Sequence, residues 1–135
     1  MKSINFDFIA DSFPELAELG GFAEHYIHED PAGALVKLRV FTEVMVGHLY
    51  EHNGLERPAG FDLRNLIDNE EFQAVIPKVI IYKLHAIRMN GNKGAHGGAS
   101  QLKPSSVEWL LKEAYHLAQW LHLTISKGTE DDVAE

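Results

Sequence analysis

The chain has 135 residues, of which 45% are hydrophobic, and its 12 basic and 20 acidic residues give a formal net charge of −8. That length fits one domain with a hydrophobic core of its own. The absence of cysteine excludes a disulfide scaffold, a thiolate zinc site and a cysteine nucleophile. No apolar run approaches the ~20 residues of a membrane span, and the polar, acidic first residues do not fit a secretory signal. The composition therefore favours a cytoplasmic protein without membrane contact.

Helical periodicity dominates the first half of the chain. Pro14 opens a first helix whose apolar residues recur at three- and four-residue steps. Asp30 and Pro31 form a start signal, because the Asp side chain can cap free amides and Pro fits the first turn. The second helix runs to Asn53–Gly54, a typical C-terminal stop, and is apolar nearly all round. This pattern predicts a central helix that other helices cover on most sides.

The second half continues in the same way. Asp62 caps a short helix, Pro77 opens a fourth with Ile80, Leu84 and Ile87 inward, and Ser105 or Ser106 caps a long last helix that ends at Lys127–Gly128. No pair of strands is evident. The sequence predicts an all-α bundle of four or five helices, with a long C-terminal helix, over residues 1–127. Residues 128–135 hold four acids and no base, which predicts an acidic flexible tail or linker.

Motifs for common catalytic sites are missing from the chain. It has no P-loop, no GxSxG, no HExxH, no EF-hand loop and no paired acids followed by a lysine. The histidine pairs His48/His52 and His25/His28 have spacings that suit a shared metal, but each pair would need a third ligand. We therefore interpret them as polar residues near helix ends, expect no metal site, and predict that His116 and His122 lie on the surface.

A pair of charges interrupts the apolar second helix. Arg39 and Glu43 are one turn apart, and charges among core positions cost several kcal/mol unless they are paired. We expect both to meet partners from another helix, either as a structural salt bridge or as half of a polar site. If the pair is buried, Arg39→Ala should cost about 3–5 kcal/mol.

The other half of such a site is predicted near the glycine-rich segment. His85, Arg88 and Asn92 follow a helical i, i+3, i+7 spacing, and His96 lies one turn further on or folds back if Gly91 and Gly94 break the helix. A guanidinium, a carboxamide and an imidazole suit a phosphodiester: Arg holds anionic oxygens and His moves a proton. The alternative is a network that satisfies backbone groups at a helix terminus. The predicted polar cluster comprises Arg39, Glu43, Arg88, Asn92 and His96, and the candidate catalytic residues are Arg88, Asn92 and His96.

Two segments of the chain resemble a known family. The stretches FPELAELGGFAEHYIHEDPAGALVKLRVFTE (13–43) and KLHAIRMNGNKGAH (83–96), followed by the long closing helix, look like the DUF4145 domain. That domain is similar to the helical HEPN superfamily and often stands at the N-terminus of the R subunit of type I restriction enzymes. The resemblance covers residues 6–126.

The resemblance implies a role inside a larger enzyme. Type I R subunits are ATP-driven DNA translocases and endonucleases that work with modification and specificity subunits. Their nuclease and motor motifs, with the ATP and Mg²⁺ that they use and their contact with DNA, belong to other domains of such a parent. This chain would then be a non-catalytic module, without a cofactor of its own, that contacts partner subunits or neighbouring domains.

Two alternatives have different sequence support. Catalytic HEPN proteins resemble metal-independent ribonucleases that use R-x4-6-H, usually at a homodimer interface; here seven residues separate Arg88 from His96. A toxin-like ribonuclease would use these two residues. A nucleic-acid-binding module is the third hypothesis, with a basic patch formed by Arg39, Lys78, Lys83, Arg88, Lys93 and Lys103.

Overall fold

The fold is all-α, as predicted. A computed structural model describes residue 3, residues 5–95 and residues 103–125, with residues 92–95 described by their backbone alone, and it contains no strand in these ranges. A short 3-10 turn, Asp7–Ile9, precedes the helices. Within the described ranges the α-helices are α1 (Pro14–Tyr26), α2 (Pro31–His52), α3 (Leu63–Asp68), α4 (Glu70–Val75), α5 (Lys78–Ala95) and α6 (Pro104–Thr124).

Local signals set the ends of α1 and α2 where the sequence predicts them. Pro14 occupies the first turn of α1. The Asp30 carboxylate accepts a hydrogen bond from the Gly33 amide at 2.9 Å, which caps α2. Asn53 closes α2, and Gly54 then adopts a φ of 66°, a left-handed conformation that glycine tolerates best.

The segment after α2 holds one more helix than the sequence predicts. The Asp62 carboxylate caps α3 by accepting from the Asn65 amide at 2.9 Å, as expected. Asn69, with ψ 129°, separates α3 from the short helix α4. Because α4 has six residues and Phe72 is its one buried residue, it has no periodic stripe to reveal it.

The start of α6 differs from the prediction. Lys103 is the N-cap residue and makes no capping hydrogen bond through its side chain, while Pro104 occupies the first turn. The predicted caps, Ser105 and Ser106, lie inside the helix and are exposed. Proline fits the first turn because no amide is needed there, and this sets the boundary. The predicted end at Lys127–Gly128 and the acidic tail 128–135 lie outside the described residues.

Helix α2 is the centre of the bundle, as its apolar sequence predicts. It contacts α1, α3, α5 and α6, and its residues Leu35, Leu38, Phe41, Met45 and Leu49 are buried. The predicted inward residues of α5, Ile80, Leu84 and Ile87, are buried as well. The described residues thus form one continuous hydrophobic core.

The N-terminal segment belongs to this core. Phe6 is fully buried, and its ring meets the rings of Phe41 and Tyr115 edge-on, with centroids 5.8 and 6.3 Å apart. The Glu24 carboxylate on α1 accepts hydrogen bonds from the amide and the side chain of Asn5, at 3.1 and 2.8 Å. These contacts hold the chain before α1 against the bundle.

Tyr50 connects α2 to α3 and α4. Its hydroxyl donates to the Leu66 carbonyl at 2.5 Å and accepts from the Asn69 side chain at 3.1 Å, while its ring stacks on Phe72 with centroids 5.0 Å apart. Burial raises the pKa of Tyr50 above its usual value of 10.0, although the hydrogen bond from Asn69 opposes this shift. The hydroxyl is therefore held in its neutral form.

Tyr50→Phe should lower the free energy of unfolding by about 1–2 kcal/mol at neutral pH, because Leu66 and Asn69 each lose a partner. The raised pKa means that folding disfavours tyrosinate, so this contribution is intact below pH 10.0 and falls as the pH rises above it. Urea denaturation of both proteins from neutral to alkaline pH measures the difference. A difference that stays constant across this range would contradict the assignment.

Candidate functional site

The segment that carries Arg88 and Asn92 packs against α2 at Arg39. Gly91 is buried, and a Cβ at this position would lie 2.6 Å from the Cβ of Arg39. Helix α5 continues through both Gly91 and Gly94 to Ala95 instead of breaking there. The two halves of the predicted polar site are therefore on neighbouring helices.

Arg39 and Glu43 pair with each other, within α2. Arg39 Nη1 and Glu43 Oε1 are 2.6 Å apart, and the side chains of Arg39 and Glu43 are 32% and 43% exposed. The expectation that the pair is buried is therefore wrong, and within the described side chains Arg39 and Glu43 pair with each other. Although α2 is central, Val36, Val40 and Val44 on it are half-buried, so part of this helix faces solvent. Arg39 Nε, in contrast, is buried and has no hydrogen-bond partner among the described residues.

This exposure reduces the expected effect of removing the charge. Arg39→Met keeps the aliphatic stem against Gly91, so it should cost at most about 1 kcal/mol, as is typical of exposed ion pairs. Glu43→Gln should have a similarly small effect. Thermal denaturation in low and high salt measures both variants. A loss of stability of about 3 kcal/mol for either variant would restore the interpretation as a buried pair.

Arg88 bonds to His85 within α5. Its Nε donates to His85 Nδ1 at 3.1 Å, and His85 Nε2 lies 2.8 Å from Asp68 Oδ1 at the end of α3. Because Nδ1 accepts a hydrogen bond, the proton of the neutral ring is assigned to Nε2, which donates to Asp68. Both ring nitrogens are thus occupied, and the network joins α3 to α5.

The predicted convergence of all five cluster residues stays a prediction. Within the described part of the chain, no hydrogen bond or ion pair links Arg39 or Glu43 to Arg88. Asn92 lies in α5, four residues after Arg88 and on the same helical face, and only its backbone is described. His96 lies outside the described residues.

Two other histidines, His48 and His122, pack against phenylalanine rings. The described residues contain no group of three or more His, Cys, Asp or Glu that could hold a metal ion. The ring of His48 packs edge-on against Phe13, with centroids 5.0 Å apart. The prediction that His122 lies on the surface is wrong: it is 8% exposed, and its ring lies 5.3 Å from that of Phe8. The N-terminal segment covers this side of α6, which periodicity in α6 alone does not reveal.

The outward faces of α5 and α6 expose large apolar side chains. On α5, Val79, Tyr82 and Met89 are 57%, 69% and 56% exposed, and on α6 Trp109 and Leu123 are 52% and 40% exposed. We call these five residues the α5–α6 outer face. On each helix the spacing places these residues on one side, and contiguous exposed apolar residues are typical of contact surfaces. Periodicity in the sequence predicts the inward residues of α5 but gives no role to the exposed ones. The signal that could have revealed them is the spacing of Val79, Tyr82 and Met89, at steps of three and seven residues.

A cleft of about 300 Å³ adjoins the outer face at Tyr82. It is lined by Asp68, Gln73, Lys78, Ile81, Tyr82 and His85. Asp68 and His85 in this cleft pair with each other. Lys78, its other basic residue, has no ion-pair partner within the described residues.

Comparison with protein families gives a match. The family described as "Domain of unknown function (DUF4145)" matches residues 22–130, which is most of the chain. The chain belongs to the DUF4145 family. No curated protein matches the chain, and no solved structure does.

The structure adds two features of this DUF4145 domain. Residues before the matched region, Phe6 and Ile9 among them, are buried in its core. In the parts of the chain that the structure describes, no helix combines the length and the apolar character required to cross a membrane.

Proposed function

We propose that this DUF4145 domain is the N-terminal helical module of the R subunit of a type I restriction enzyme, and that it contacts partner subunits or neighbouring domains in the cytoplasm. The cutting of DNA and the use of ATP and Mg²⁺ then belong to other parts of the parent protein. Membership of the family supports the proposal, together with the resemblance that associates this family with such subunits.

The observation that carries the contact role is the α5–α6 outer face. Four of its residues expose more than half of their side chains although the helices have fully buried opposite faces. Covering such residues with a partner removes apolar surface from water, which is favourable. An interaction surface explains why they are kept on the outside.

The state of Arg88 and His85 supports a role without catalysis at these two residues. A general base needs a ring nitrogen that can reach the substrate, and both nitrogens of His85 are engaged by protein groups. The Nε of Arg88 is likewise used within the domain.

The test combines genetics with a binding measurement. The reading frame of the parent gene should continue into nuclease and motor domains, and a frame that ends near residue 135 would refute the proposal. The purified chain should also co-elute with the modification and specificity subunits encoded beside its gene. Tyr82→Asp should abolish co-elution, and the matched control Phe61→Asp, at an exposed residue outside the face, should retain it.

Ribonuclease activity is tested separately. We expect no cleavage of single-stranded RNA in the presence of EDTA. Cleavage by the unmodified chain that is lost in His96→Ala would support the toxin-like alternative instead.

A further inference from the structure

The exposed residues of α5 are spaced as the contact seam of paired helices. Val79, Tyr82 and Met89 lie at steps of three and seven residues, and the half-buried Ala86 occupies the position between the last two. Steps of three and four residues keep side chains in line along one face of a helix. An apolar stripe of this kind is typical of a surface on which a second helix packs lengthwise.

Helix α6 forms the other wall of this surface. Lys83 on α5 forms an ion pair with Glu113 on α6. Lys83 is one turn from Val79, and Glu113 is one turn from Trp109, so both exposed residues border the same seam between the two helices. This seam, which we call the groove, thus has exposed apolar residues on both helices and an ion pair between them.

The size of the groove suits one helix. Helix α5 has 18 residues and is therefore about 27 Å long, and two helices side by side are about 20 Å wide. The face then offers roughly 500 Å², below the ~800 Å² per partner of a standard interface between folded proteins. A single helix of similar length would cover it.

The two helices that form the groove together carry a net positive charge, opposite in sign to that of the chain. Helix α5 contains four basic residues and no acidic residue, and α6 adds one lysine and two glutamates, whereas the whole chain carries −8. Lys78 and Lys112 are exposed at the margins, and neither has an ion-pair partner in the described ranges. A partner with acidic residues beside its apolar stripe would complement these cations.

The same charges disfavour two other occupants. A symmetric contact between two copies would place the basic face of one copy on the basic face of the other. Single-stranded nucleic acid needs several free cations together with aromatic side chains, but Lys83 is bound to Glu113 and Arg88 to His85.

We propose that the α5–α6 outer face binds an amphipathic helix of a partner protein whose apolar stripe is flanked by acidic residues. This inference rests on the proposed contact role and specifies the chemistry of the partner.

Two matched peptides test the inference. Each has about 21 residues, enough to span α5, and leucine at helical three- and four-residue spacing, flanked by glutamate in one peptide and by lysine in the other. Like charges keep each peptide from pairing with itself at low concentration. Fluorescence anisotropy at moderate salt should give at least a tenfold tighter Kd for the glutamate peptide, and this advantage should shrink as salt is raised.

Variants locate the binding site. Tyr82→Ala and Trp109→Ala should each weaken the glutamate peptide at least fivefold, while Phe61→Ala should leave its Kd unchanged. Circular dichroism of each variant confirms that it is folded. Equal or tighter binding of the lysine peptide would refute the inference, as would tighter binding of single-stranded DNA or formation of a dimer that Tyr82→Ala disrupts. No restriction subunit takes part, so the outcome does not depend on the test of the parent enzyme.

Discussion

Phe6→Ala should lower the free energy of unfolding by about 3–5 kcal/mol, the range for large-to-small substitutions of buried phenylalanine. The ring is fully buried and contacts Phe41 and Tyr115. It also lies directly against Gly20 on α1, where an added Cβ would approach it to 2.6 Å. This close fit leaves little room for the surroundings to relax into the cavity, so the cost should lie high in the range.

Urea denaturation of the full chain measures this effect, with Phe61→Ala as the control. Phe61 is 42% exposed, so its removal should change stability by no more than about 0.5 kcal/mol. Equal losses for the two variants would show that the N-terminal segment does not pack as described. A large loss for Phe6→Ala alone would establish that residues before the family match are part of the folding unit.

Gly91→Ala should destabilise the protein by about 1–2 kcal/mol even though alanine is the better helix former. Intrinsic propensity favours alanine by about 1 kcal/mol inside a helix. The new methyl group, however, would lie 2.6 Å from Arg39 Cβ, which sits next to the backbone of α2 and cannot swing away. The helices must therefore separate, and overpacking of this kind costs more than the propensity gain.

Gly47→Ala is the matched control for this substitution. Gly47 is also inside a helix, but the nearest atom to a methyl group added there is Arg57 Nη1, at 3.4 Å, the mobile end of a long side chain. We expect Gly47→Ala to be neutral or stabilising by up to about 1 kcal/mol. If Gly91→Ala stabilised the protein equally, the close approach of α2 and α5 would be disproved.

The sequence was informative about elements whose signals are local. Caps at Asp30 and Asp62, prolines at helix starts and the stripe of α5 depend on residues within a few positions of each other, and the structure confirms all of them. The short helix α4 and the cap of α6 were missed, because six residues are too few for periodicity and because Pro104 outweighed the serines that follow it.

Contacts between elements could not be predicted in the same way. The sequence placed His85 and Arg88 on one stripe but had no signal for Asp68, which reaches His85 from a different helix. It also predicted buried charges on α2, since an apolar sequence does not reveal which sector of a helix its neighbours leave open. The burial of His122 under Phe8 has the same cause: the covering residue lies more than one hundred positions away.

The short elbow between α1 and α2 has a consequence for how the chain folds. Four residues join the two helices, the amide of Asp30 bonds to the Tyr26 carbonyl at 2.7 Å, and α1 then packs along α2. Contacts between segments so near in sequence close small loops, and such loops form quickly. We expect this hairpin to form early and to provide the surface on which α5 and α6 then pack. Since α1, α5 and α6 all contact α2, its amide protons should exchange most slowly with solvent.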